Sequence, residues 1–245
     1  MRRMTAATPT DTPAKSLRSD GLEARHRLLD AALTLFADKG FAKTSTREIA
    51  LAAQANIASI SYYFGDKEGL YRAVFEDPRN NPQIDTEQML QANADANGIR
   101  SSIDFLLRGF VEPLKTGDQA RQCMKLHFRE MLEPTGMWQA EIDNNIKPAH
   151  AALTQALARH LGVAEADDAI HRLAFQIAGL GIMLHVGLDV LQAIRPTLIA
   201  TGAALDTYHA CLVDSSMALV DAEAVRRAQL KKPKNQALPK GTTAP

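Results

Sequence analysis

Apolar residues recur along this chain at intervals of three and four and nowhere alternate in twos over a strand's length. The pattern therefore predicts helices throughout and an all-α fold. Leu28, Leu29, Ala32, Leu33 and Phe36 form one stripe, which predicts a first helix over Leu22–Lys39 ended by Gly40, with Phe41 packing back. Ser45, followed three residues later by Glu48, is a capping box for a second helix carrying Ile49, Ala50 and Ala53 inward. Asn56 is placed to cap a third, with Ile57, Ile60 and Phe64 as its buried face. Asp66 then opens a fourth that turns Leu70, Tyr71 and Val74 inward.

The third helix leaves Ala58, Ser59, Ser61, Tyr62 and Tyr63 on or near its outward face. Surface helices normally show Glu and Lys there, so a face of small hydroxyls and tyrosines suits close approach to another surface. Two short helices and a tight turn in this arrangement are a helix-turn-helix, whose second helix enters the DNA major groove. The richest break follows at residues 77–86, which hold two Pro and two Asn in ten positions. It divides the chain into an irregular tail (1–20), a helix-turn-helix domain (21–76), a helical regulatory body (77–229) and a basic, irregular end (230–245). Helices are expected in the body over 86–96, 99–115, 118–133, 138–160, 166–193 and 203–229. Both tails lack apolar periodicity and are expected to be disordered. Arg2, Arg3, Lys15 and Arg18 are open to two readings, a solvated tail or an arm along phosphates.

Composition narrows the class. An apolar share of 46% with 5% aromatic residues fits an Ala- and Leu-rich helical protein. Two cysteines, Cys123 and Cys211, are too few for a disulfide framework and point to a reducing, cytoplasmic setting. No apolar run follows the basic residues at the start, so no signal peptide is expected. Zero net charge conceals an uneven distribution: 11 basic against 8 acidic residues in 1–75, 11 against 20 in 76–223, and 6 against none in 224–245. A basic head on an acidic body permits DNA contact at one end. Leu173 to Leu188 is free of Asp, Glu, Lys and Arg over sixteen residues, too short and too broken by glycine for a bilayer span. Such a helix must be covered on every side.

Residues 25–75 resemble the DNA-binding domain of the TetR family of bacterial regulators. The marks are Ala31-Ala32, Leu35-Phe36, Gly40-Phe41, Thr44-Ser45-Thr46-Arg47-Glu48-Ile49-Ala50, Tyr62-Tyr63-Phe64, Lys67-Glu68 and Leu70. One departure is Gln54, in a turn where the family has a Gly able to take positive φ; Gln there costs about 1 kcal/mol. The resemblance implies backbone contacts from Thr44, Ser45, Arg47, Asn56, Tyr62, Tyr63 and Lys67. Ser59 and Ser61 face the groove, and Ile57 and Ala58 are placed for thymine methyls. For Tyr62 or Tyr63 the alternative is packing against the fourth helix. The resemblance also implies a homodimer through residues 170–192 and 203–226, against a monomer with a central helix there. A repressor released from a palindromic operator by a small, largely apolar effector follows from it, without a cofactor.

Cys123, His127 and Glu130 stand at i, i+4 and i+7 on one helical face. They are open to three readings: half a metal site, part of a ligand pocket with Met124, Phe128 and Met131, or core residues. No second Cys/His cluster completes a metal site. His127-Phe-Arg-Glu-Met-Leu-Glu-Pro-Thr135 resembles the CecR-like subgroup, whose members control efflux and drug-sensitivity genes. Trp138, Phe105, Phe110, Phe175, Met183 and His185 complete the pocket candidates. Segments of the G-x-S-x-G, H-E-x-x-H, Walker A and G-x-G-x-x-G types are absent, so no enzyme is expected. The competing reading is a helical module whose helix-turn-helix docks a protein, with the tyrosines as anchors.

Overall fold

The computed structural model describes residues 13–77, 79 and 98–231, with the side chains of 13–20 and 231 outside the description. The helix expected over 86–96, most of the boundary segment and most of the tails lie outside the described residues, which form helices and no strand. The chain divides into two compact units, one from residues 1–83 and 112–145, the other from 84–111 and 146–245.

The first unit holds α1 (Pro13–Lys43), α2 (Thr46–Ala52), α3 (Ala58–Phe64), α4 (Lys67–Glu76), α6 (Asp118–Leu132) and α7 (Trp138–Glu141). The irregular tail expected through residue 20 is corrected here, because α1 already begins at Pro13. Pro presets a helical φ in a first turn, and Ala14, Lys15, Leu17 and Arg18 extend a helix that packing has nucleated further on. Gly40 interrupts α1 with φ 80° and ψ 165°, a left-handed bend that lays Phe41 against Phe36, ring centroids 5.9 Å apart. Leu28, Leu29, Phe36, Ile49, Ile60, Leu70 and Val74 close the core, and Leu126 of α6 is buried among them.

The capping box forms as expected: Glu48 N–H donates to Ser45 Oγ at 3.2 Å, and Ser45 N–H donates to Glu48 Oε2 at 3.0 Å. Hydrogen bonds from Lys39 and then from Ser45 hold the Glu48 carboxyl down to about 2. Gln54 takes φ 50°, the only positive φ outside glycine among the described residues. The N–H groups of Gln54 and Ala55 return to Leu51 O (3.1 Å) and Ala50 O (2.9 Å), a Schellman closure of α2 with Gln in the glycine position. Arg27 of α1 steadies it by donating from Nε to Ala53 O at 3.1 Å.

The second unit is built from α5 (Ile99–Lys115, up to Val111), α8 (Lys147–His160), α9 (Asp168–Val186), α10 (Leu188–Ile194) and α11 (Gly202–Lys231). A π-helical turn, Ile142–Ile146, lies within the helix expected over 138–160, and Gly187 divides the one expected over 166–193. By length and composition α9 passes as a membrane span. It buries Ile170, Leu173, Ala174, Ile177 and Leu184 inside the unit, the use of a core helix. At Gly181 an added Cβ would stand 2.4 Å from the Phe110 ring, so only glycine lets the two helices meet. Asp167 caps α9 by accepting from Ala169 and Ile170 N–H, both 3.1 Å, and also accepts from Arg227 Nη2 of α11 at 2.6 Å.

Within the unit α9 leaves part of its apolar surface uncovered. Phe175, Met183 and Val186 of α9 and Val190 and Ile194 of α10 stay open to solvent within the unit.

Candidate nucleic-acid interface

Asp66 caps α4 by accepting from Gly69 N–H at 2.7 Å, which fixes a short link between α3 and α4. Asn56 Oδ1 accepts from Ala58 N–H at 2.9 Å and starts α3. From there the register is set by Ile60, buried in the core, and by Phe64 and Tyr63, half-buried against it. Tyr62 stands on the opposite side, 82% exposed, its ring edge-on to Tyr63 at 4.9 Å. Both readings of the tyrosine pair therefore apply, one to each: Tyr63 packs and Tyr62 projects. Ala58 and Ser61 share the open face, and Ser59 lies half-buried at its edge.

Ile57 does not join the buried face expected of it. It precedes the first turn of α3, beyond the edge of the core, and is 49% exposed. Its place beside Ala58 suits the thymine-methyl role instead. Thr44 lies further in than its neighbours. Its hydroxyl donates to Gly40 O at 2.8 Å and Leu35 O at 3.1 Å, and the residue is buried. Its side chain fixes the turn into α2.

Arg47 and Lys43 are exposed on the helix-turn-helix. Ser45 is exposed with its hydroxyl engaged in the cap, and Lys67 is half-buried with its ammonium 4.3 Å from the centre of the Phe41 ring. The surface thus combines an uncharged exposed face on α3 with cations on neighbouring elements, an arrangement compatible with base contact from one and phosphate contact from the other.

The pocket candidates are dispersed. Met124, His127, Phe128, Met131 and Trp138 fall in the first unit; Phe105, Phe110, Phe175, Met183 and His185 fall in the second. His127 Nδ1–H donates to Cys123 O at 2.9 Å, which settles its tautomer, and its ring stands 4.9 Å from Phe75. Burial first, and then Glu141 and Asp77, push the Cys123 thiol up to about 12, so it stays protonated and inert. Glu130 is turned to other partners: Tyr71 Oη–H at 2.7 Å, Thr135 N–H at 2.7 Å and Met137 N–H at 3.1 Å. Core use is thus the reading that fits Cys123, His127 and Glu130.

In the second unit His185 Nε2–H donates to Phe110 O at 2.7 Å. Burial draws its pKa below the usual range, against that bond, which acts the other way. Phe175 and Met183 are 63% and 50% exposed and lie on the open apolar surface of this unit. Two surface hollows of this unit, about 330 and 440 Å³, are lined by other residues, Tyr208 and Cys211 in the first, Arg172 and Arg226 in the second. One pair had no signal in the sequence: His150 Nε2 and His171 Nδ1 face each other at 2.8 Å across α8 and α9, separated by 21 positions.

Residues 28–74 match the family model of bacterial regulatory proteins, tetR family, and residues 99–221 match that of the C-terminal domain of the HTH-type transcriptional dual regulator CecR. The chain is 32% identical over 207 residues to CecR of Shigella flexneri, across 77% of this chain and 91% of that protein. Its fold is similar to that of NalD, the secondary repressor of the MexAB-OprM multidrug efflux pump in Pseudomonas aeruginosa, at 20% identity, a TM-score of 0.58 and coverage of 81% of this chain and 96% of that one. It is similar too to SmeT, solved as a triclosan complex, at 20% identity, a TM-score of 0.54 and coverage of 80% and 90%.

Proposed function

The chain belongs to the TetR family of bacterial transcriptional regulators, with a C-terminal domain of the CecR type, and from that premise we propose that it is a cytoplasmic, homodimeric repressor released from its operator by a small, largely apolar molecule. Residues 21–76 serve as the reading head, and 77–229 as the regulatory and dimerisation domain. Two heads enter successive major grooves of a near-palindromic operator, with half-sites about 34 Å apart. The open apolar face of α9 and α10, together with α11, supplies the contact with the second copy. Effector binding in the body favours a head spacing that mismatches DNA; a hundredfold loss of affinity needs a differential of about 2.7 kcal/mol. Efflux and drug-sensitivity genes are the proposed targets, a reading supported by the resemblance of residues 127–135 to the CecR-like subgroup and by the role of NalD as repressor of a multidrug efflux pump.

One observation carries the reading: α3 presents an uncharged face of Ile57, Ala58, Ser61 and Tyr62 to solvent while Ile60 anchors it from behind. The test is fluorescence anisotropy on DNA selected from a random pool by the wild-type protein, over a salt series. A neutral hydroxyl on a phosphate contributes about 1.5–3 kcal/mol and releases no counterion. Tyr62→Ala should therefore weaken binding roughly ten- to a hundredfold without changing the salt slope. Arg47→Ala should lower that slope by about 1. Unchanged affinity in the folded Tyr62 variant would remove α3 from the interface.

A further inference from the structure

The segment Arg129-Glu130…Glu133-Pro134-Thr135 lies inside the region matched by the CecR-type C-terminal domain, yet its side chains grip the DNA-binding helices. Arg129 donates from Nε to Ala37 O and from Nη2 to Asp38 O, both at 3.1 Å, meeting carbonyls at the end of α1 just before Gly40. Its other arm pairs with Glu133 at 3.2 Å. Glu130, the next residue, faces α4 instead. Its carboxylate is fully buried and accepts from the Tyr71 hydroxyl at 2.7 Å, from Thr135 N–H at 2.7 Å and hydroxyl at 3.0 Å, and from Met137 N–H at 3.1 Å. Adjacent residues on a helix point about 100° apart, so α6 sits where one of them meets α1 and the other α4.

We propose that Glu130 is a positioning residue: through Tyr71 it sets the angle of α4, and hence of α3, against α6 and the turn that follows it. Tyr71 lies one turn into α4, which Gly65 and Asp66 join directly to α3. Three of the four donors on the carboxylate belong to the 135–137 turn, so any displacement of that turn leaves a buried charge short of partners. Tyr71 is then the partner that must move. The turn and α4 share one carboxylate, and a shift in either is felt by the other.

This inference rests on the two-headed operator reading, and its test separates the two. The selected DNA is compared with the same sequence carrying one extra base pair between its half-sites. Wild-type protein should prefer the original spacing. Glu130→Gln puts an amide where Tyr71 needs an acceptor, and Tyr71→Phe removes the hydroxyl. Each should reduce the preference about tenfold, and the double variant should go no further. A role in stability alone would lower the active fraction equally on both DNAs and leave their ratio unchanged. A ratio within twofold of wild type, in variants folded by circular dichroism, overturns the proposal; where Glu130→Gln fails to fold, the milder Tyr71→Phe decides. Wild-type protein that selects no DNA sequence would instead sink the operator reading, and this inference with it.

Discussion

Replacing Phe36 with Ala should lower the stability of the first unit by about 3–5 kcal/mol. The ring is fully buried, stacked on Phe41 and edge-on to Tyr71, whose centroid lies 4.9 Å away at 84°. Phe41 and Tyr71 meet in turn at 5.0 Å, and Tyr71 and Phe75 at 5.1 Å, so the aromatic cluster runs from α1 into α4. Truncation removes the transfer energy of the ring, opens a cavity that rigid helices cannot refill, and breaks two aromatic pairs. A domain is stable by only about 5–15 kcal/mol, so the loss is a large share of the whole. Thermal unfolding followed by circular dichroism should fall by roughly 10 °C. Phe36→Leu, which keeps most of the volume, should cost well under half as much. A drop of less than about 2 °C for the Ala variant would show that this cluster is not what holds the head.

Met183→Glu should turn the dimer into a monomer at micromolar concentration. Met183 is half exposed on α9, as are the neighbouring apolar residues Phe175 and Val186. If that face is covered by a second copy, the symmetry of the contact places the new carboxylate in the interface twice. An unpaired charge taken out of water costs several kcal/mol even after its pKa adjusts. A dimer at least about a hundredfold weaker follows. Sedimentation velocity across a dilution series measures it directly. Because the position is already open to solvent within the unit, the monomer should keep its helical content. A variant that sediments as wild type would move the dimer contact elsewhere.

How far the sequence discloses this molecule depends on the reach of each interaction. The cap at Ser45 and Glu48, the cap at Asp66, the bend at Gly40 and the strained turn at Gln54 are all legible, because each is decided within about six residues. The helices from 99 onward appear nearly where periodicity places them. What escapes is long-range. The bond of Tyr71 to Glu130 spans 59 positions and that of Arg129 to Ala37 spans 92, and no local pattern specifies either. Spacing alone grouped Glu130 with Cys123 and His127, since it shows which side chains share a face but not what the face meets. Phe175 and Met183 show a related limit: an apolar side chain suits a pocket and an open contact face equally well, and both are exposed within the unit. Thr44, a hydroxyl residue at a turn, suits a phosphate or a carbonyl, and its surroundings choose the carbonyl.

The clamp at the end of α6 also bears on how such regulators diversify. A reading head drawn only from residues 28–74 would be cut away from Leu126, Arg129 and Glu130, which complete its packing from a later stretch of chain. The two grips differ in what they ask of a new head. Arg129 holds main-chain carbonyls at 37 and 38, which any sequence supplies, so drift there is tolerated. Glu130 asks for one hydroxyl at position 71. A chimera with a foreign head therefore inherits half of the joint from geometry and must match the other half by a single shared tyrosine. On this reading, a foreign head lacking a hydroxyl at position 71 should leave the buried Glu130 carboxylate one donor short.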